Sequence, residues 1–123
     1  MNNSASILIV DDQDDVRKLM RMVLEPEGYQ LIEAHDGQSA INQIQKHQPD
    51  LILLDLMMPG YPNGLELLEM IRRNKSMTVK IVMVSAKGQY DDVLAAAKLN
   101  CDAYIVKPFT LQHLLDTIKN TLK

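Results

Sequence analysis

Four apolar runs in this chain each stop at a polar or charged residue: ILIV runs into Asp11 and Asp12, LILL into Asp55, IVMV into Ser85, and YIV into Lys107. Runs this short, bounded by turn signals and separated by segments of helical period, read as buried strands of a parallel sheet covered by helices on both faces. Open sheets of that kind bind ligands outside the carboxyl ends of their strands. The repeated ending therefore gathers three carboxylates, one hydroxyl and one ammonium at a single edge. That set suits a divalent cation and a phosphoryl group bound together.

The segments between the runs supply the helices. Val16, Leu19, Met20, Val23 and Leu24 recur on one helical face, and Glu25 to Gly28 close that helix. A strand follows at residues 29–34. Asp36 is placed to cap a helix that turns Ala40, Ile41 and Ile44 inward, and Gln48, Pro49 and Asp50 break it before a strand at 51–55. The Pro- and Gly-rich stretch 59–64 is a loop. Leu65, Leu68 and Ile71 mark the next helix, and residues 79–84 the next strand. Val93, Leu94 and Ala97 mark a fourth helix, ending near Asn100, a residue suited to a left-handed cap. A strand at 102–106 precedes a last helix, capped by Thr110, whose inner face carries Leu111, Leu114, Leu115, Ile118 and Leu122. The expected fold is α/β: a flavodoxin-like, doubly wound parallel sheet of five strand-helix units, residues 1–123 forming one domain. Right-handed crossovers leave few topologies, and strand order 2-1-3-4-5 is the commonest. Its switch point lies between strands one and three, which sets Asp11, Asp12 and Asp55 side by side.

Carboxylates so placed raise one another's pKa, and a cation must offset them. Oxygen-only ligands favour Mg²⁺, or Mn²⁺, over zinc. His35, His47 and His113 fall at no metal-binding spacing. An aspartate can itself be the nucleophile toward a phosphoryl group, leaving the protein to position it and neutralise charge. Lys107 can set its ammonium against phosphoryl oxygens, and Ser85 can donate a hydroxyl hydrogen bond. Singly, each residue has an ordinary reading as a helix cap, a turn former or a surface lysine; their joint occurrence at one edge favours the functional one.

Composition narrows the classes. The 123 residues carry 13 basic and 16 acidic side chains, a net charge of -3, with no basic stripe to track a nucleic-acid backbone. A single cysteine, Cys101, allows no internal disulfide, and MNNSAS lacks the features of a signal peptide. No apolar run approaches the ~20 residues that span a bilayer. The expectation is a cytoplasmic protein with no membrane partner and no direct nucleic-acid partner.

The motifs VDD (10–12), LLDLMMP (53–59), VSA (84–86) and YIVKPF (104–109) together resemble the receiver domain of two-component response regulators, over essentially the whole chain. The resemblance implies a phosphorylation-dependent signalling switch. It takes a phosphoryl group from a histidine kinase or histidine phosphotransfer protein onto Asp55, with Mg²⁺ required. By that resemblance Asp12 and Asp55 ligate the metal through side chains, Met57 through its backbone carbonyl and Asp11 largely through water. Ser85 and Lys107 bind the phosphoryl group, and Tyr104 is the aromatic residue that turns inward behind Ser85. Packing in the core accounts for Tyr104 equally well. The Lys107–Pro108 bond is usually cis in the family. Phosphodonors meet the first helix, on which Met22 lies off the apolar stripe. Downstream proteins meet the face of helix four, strand five and helix five, where Ala95 to Ala97 allow close approach; dimerisation on phosphorylation stays open. Enzymatic activity is confined to self-phosphorylation and autodephosphorylation.

Two departures from the pattern stand out. The segment Pro59 to Gly64 is one residue longer than usual, which reshapes the loop after Asp55. Met57 and Lys87, each two positions past a key residue, flank the path of water to the acyl phosphate and carry no acid or amide to orient it, so slow self-dephosphorylation is expected. Three alternatives compete. This is the receiver part of a longer regulator; or an aspartyl-phosphate-forming small phosphatase, which wants a general acid two residues after Asp11, where Gln13 stands; or a flavin-binding relative, whose phosphate two carboxylates would repel.

Overall fold

The computed structural model describes residues 5–86 and 88–123. Strands and helices alternate in it: β1 (Ser6–Val10), α1 (Asp14–Leu24), β2 (Gln30–Ala34), α2 (Gly37–His47), β3 (Leu51–Asp55), α3 (Gly64–Arg73), β4 (Lys80–Ser85), α4 (Tyr90–Lys98), β5 (Ala103–Val106) and α5 (Leu111–Leu122), with a short 3-10 turn at Glu25–Glu27. All pairings are parallel and the strand order is β2-β1-β3-β4-β5, as the crossover rules led us to expect.

The reason β1, β3 and β4 carry continuous apolar runs lies in the two cores they serve. Leu8, Val10, Ile52, Leu54, Ile81 and Met83 point to one face, where they meet Ala40 and Ile44 of α2, Leu67, Leu68 and Ile71 of α3, and Ala96 of α4. Their neighbours Ile7, Ile9, Leu51, Leu53, Val82, Val84 and Ile105 point to the other, against Met20 and Leu24 of α1 and Leu114 and Ile118 of α5. Side chains alternate along a strand, so a sheet covered on both faces needs a continuous apolar run rather than an alternating one. Each such side chain contributes roughly 1.5–3 kcal/mol on burial.

Local chemistry sets the helix ends. Asp36 and Ser39 form a reciprocal capping box at α2, Asn63 and Glu66 another at α3, and the Thr110 hydroxyl accepts the His113 N–H at α5. Asn100 takes the left-handed conformation after α4, with φ 65°. The helix faces differ in part from their expected periodicity. Leu19, Leu111, Val93 and Ala97 are exposed, and Ala96 is the residue of α4 that is buried. α4 lies against the sheet at its β5 edge, so a narrow strip of small side chains suffices there. β4 runs one residue further than its apolar run and takes in Ser85.

At the edge opposite the strand ends, Arg72 ties three segments together. Its guanidinium donates to the carbonyls of Asn100 (2.9 Å) and Val79 (2.7 Å) and to Asp102 Oδ2 (2.8 Å), and that oxygen also accepts the Ile81 N–H. Among the described residues no helix is long and apolar enough to cross a membrane.

Candidate functional site

Register brings the site together. Val10 pairs with Leu54 in the β1–β3 ladder, so Asp11, one residue on, lies level with Asp55. Asp55 pairs with Val84, which leaves Ser85 one step beyond, and Ser85 pairs with Val106, one step before Lys107. The Lys107 N–H donates to the Ser85 carbonyl at 2.8 Å and extends that ladder past its last pair. Asp11, Asp55, Ser85 and Lys107 therefore come to one corner; Lys87 lies outside the described residues.

One carboxylate oxygen from each of Asp11, Asp12 and Asp55 lies within 4.8 Å of the other two. Asp11 and Asp55 are buried, whereas Asp12 faces solvent. Asp11 Oδ1 accepts the Gln13 N–H at 2.9 Å, and its Oδ2 accepts the Lys107 ammonium at 2.8 Å. Asp55 Oδ1 accepts the Met57 N–H at 3.0 Å. Its Oδ2 lies 4.0 Å from Lys107 Nζ, beyond a hydrogen bond but within charge pairing. Burial, above all, pushes the Asp55 carboxyl from its ordinary 3.8 up to about 6; Asp11 and Asp12 push the same way, while the Met57 amide and Lys107 oppose. The expectation that like charges dominate here is thus refined: loss of water matters more than the neighbours' charge.

A hard divalent cation fits this donor set. Three carboxylates converge, one of them open to solvent, with no thiolate or imidazole among the group. The Met57 side chain is exposed. Ser85 is fully buried, and the half-buried Tyr104 shares a side-chain hydrogen bond with it; burial holds the phenol above its ordinary 10.0. Tyr104 also packs on the core shared by α2, α3 and α4, so both readings of this residue describe it.

The loop after Asp55 folds back on the body of the protein. Pro62 is buried, and its carbonyl and ring lie where a Cβ on Gly37 would sit, at the first residue of α2. Tyr61 beside it is exposed, and the Tyr61–Pro62 and Lys107–Pro108 bonds are both cis. One further residue escaped the sequence reading. Arg17 lies on the inward side of α1, where its guanidinium meets Glu33, Asp14 and the Asp11 carbonyl. Its spacing of three and seven residues from the buried Met20 and Leu24 was the available signal.

The match with known proteins now has a geometry to rest on. The response regulator receiver domain is matched over residues 7–119, and the chain belongs to that family. It is 39% identical over 119 residues to the phosphate regulon transcriptional regulatory protein PhoB of Klebsiella pneumoniae, covering 95% of this chain and 51% of that protein. Against the transcriptional regulatory protein ResD of Bacillus subtilis it is 40% identical over 121 residues, covering 98% and 49%. The chain thus spans about half the length of these relatives. The solved structure of the Vibrio cholerae chemotaxis protein CheY4 superposes with a TM-score of 0.90 at 27% identity, covering 98% of this chain and 100% of that one. Phosphorylation-dependent switching is general to the family.

Proposed function

We propose that this receiver accepts a phosphoryl group on Asp55 from a histidine kinase or histidine phosphotransfer protein, with Mg²⁺, and changes its protein partners in response. The observation that carries the reading is the inequality of the two Asp55 oxygens. Oδ1 is held by the Met57 amide, while Oδ2 lies 4.0 Å from the Lys107 ammonium, near its charge but beyond a hydrogen bond, in the corner where the Asp11 and Asp12 carboxylates converge on Asp55. Oδ2 is then the nucleophile: its lone pair forms the new P–O bond as the P–N bond to a donor imidazole breaks, and that nitrogen keeps the electron pair. Asp11, Asp12 and Asp55, with the Met57 carbonyl, would hold the cation, which neutralises carboxylate and phosphoryl charge when bound. Lys107 moves from Asp11 to the phosphoryl oxygens and Ser85 donates its hydroxyl to another, with Tyr104 following Ser85.

In this reading the protein is no enzyme beyond its own phosphorylation and dephosphorylation, and it acts in the cytoplasm. The donor docks at α1 and the loops around Asp55. A downstream protein takes the face of α4, β5 and α5, where Tyr90, Val93 and Val106 are exposed. A second reading, the receiver part of a longer regulator, is favoured by the half-length coverage of its relatives; the length of the native gene product separates the two.

Incubation with acetyl phosphate and Mg²⁺ is expected to yield an acid-stable, base-labile adduct, abolished by a chelator, with no turnover of unrelated phosphate esters. Turnover of such esters, or an adduct indifferent to the chelator, would sink the reading. The exposed, amide-free side chain of Met57, with Lys87, is proposed to leave attacking water unoriented. Met57→Asn is therefore expected to shorten the adduct's half-life about tenfold, a small share of the usual worth of positioning; decay of the isolated labelled protein measures it, and an unchanged half-life refutes it.

A further inference from the structure

We infer that Arg17 is a positioning residue for the cation, holding the Asp11 carbonyl and thereby fixing the turn that aims Asp12 at Asp55. This rests on the metal reading above and adds to it a residue outside the acidic corner.

The geometry is specific. The Arg17 side chain is 12% exposed, a low value for a guanidinium on a helix. Nη1 donates to the Asp11 main-chain carbonyl, Nε to Glu33 Oε1 at 3.1 Å, and Nη2 to Asp14. Glu33 is itself braced, since its Oε2 accepts Arg21 Nε at 2.9 Å. The guanidinium is thus fixed from β2 and from α1 before it reaches the turn.

The Asp11 carbonyl is one corner of the peptide plane that contains the nitrogen and Cα of Asp12. Holding that oxygen leaves the plane little freedom to rotate, and so sets where the Asp12 carboxylate starts from. Asp11 is held at its other polar atoms too: its N–H donates to the Ala34 carbonyl at 3.2 Å, and its two carboxylate oxygens accept Gln13 and Lys107. Among the described residues nothing gives the Asp12 carboxylate a comparable hydrogen bond, and it faces solvent. Its placement depends on the peptide before it. A lysine could not substitute, because one ammonium lacks the planar fork that meets three acceptors in different directions.

The test is calorimetric titration of the full chain with Mg²⁺ alone. Arg17→Met is expected to raise the Mg²⁺ Kd about tenfold, the lower end of the effect of groups that orient metal ligands. Its acetyl phosphate labelling should recover at higher Mg²⁺. Arg72→Met, which removes a comparably buried guanidinium from the far edge of the sheet, is expected to lower stability to urea and leave Kd within about twofold of wild type. Wild-type affinity in Arg17→Met, or equal loss in Arg72→Met, overturns the inference. Should Arg17→Met not fold, Arg17→Lys keeps the charge but loses the fork; Kd is expected to rise several-fold, and wild-type affinity there overturns the inference equally. Wild-type protein that binds no Mg²⁺ at millimolar concentration would instead overturn the metal reading itself.

Discussion

Asp55→Asn protein, incubated with Mg²⁺ and acetyl phosphate, is expected to take up no label, and without the cation to be more stable than the wild type above pH 6. Both outcomes follow from one carboxylate. Losing the nucleophilic oxygen removes the adduct; label on the Asn variant would refute the assignment. The stability gain follows from linkage. Burial raises the folded carboxyl from 3.8 to about 6. Below pH 3.8 the group is protonated in both states and costs nothing. As pH rises from 3.8 to about 6 the unfolded chain gives up its proton first, so stability falls, and above 6 the whole penalty is present. That shift corresponds to about 3 kcal/mol. Asn carries no such charge and can still accept the Met57 N–H. Urea denaturation with chelator present should therefore show a gap of up to about 3 kcal/mol at pH 8 that closes near pH 4. Equal stability at pH 8 would refute the burial argument while leaving the labelling result to stand separately.

Gly64→Ala is expected to damage fold and site together. A Cβ at this first residue of α3 would overlap the Asp55 carbonyl oxygen and lie 2.6 Å from the Leu56 Cα and 2.8 Å from the Leu56 carbonyl oxygen. All three obstacles are main chain, and they belong to the strand end that presents the acceptor. Such overpacking costs about 3 kcal/mol. Alanine returns at most about 1 kcal/mol through helix propensity. A net loss of about 2 kcal/mol is expected from urea denaturation, with slower labelling of the folded fraction because Asp55 and Leu56 must shift. A variant of wild-type stability and labelling rate would show that α3 can move away from β3 without cost.

The central strands β1, β3 and β4 were legible because they are buried on both faces, which leaves a continuous apolar run that few other structures need. The corner was legible for the same reason: each apolar run ends abruptly where its strand ends, at Asp55 and Ser85 as the last paired residues of β3 and β4 and at Asp11 and Lys107 one step past β1 and β5. Helix faces were harder to read. Leu19 and Leu111 keep the helical period yet face solvent, since periodicity records which residues share a stripe and not how wide a stripe the sheet covers. Arg17 was missed because a charged residue on a helix is ordinarily a solvated one, and its partners Glu33 and the Asp11 carbonyl come from other elements. The fold-back of Pro62 onto Gly37 has no local signature at all, because it joins a loop to the start of a helix that only the finished fold brings beside it.

The main-chain bond from Lys107 to the Ser85 carbonyl makes one mechanical part of two residues that chemistry treats separately. Tyr104 is tied to the same serine through its side chain, so Ser85 is bonded to β5 on both sides of Ile105 and Val106. Under the function proposed above, a displacement of Ser85 would thus reach the edge strand β5 through two separate bonds, one from the main chain of Lys107 and one from the side chain of Tyr104.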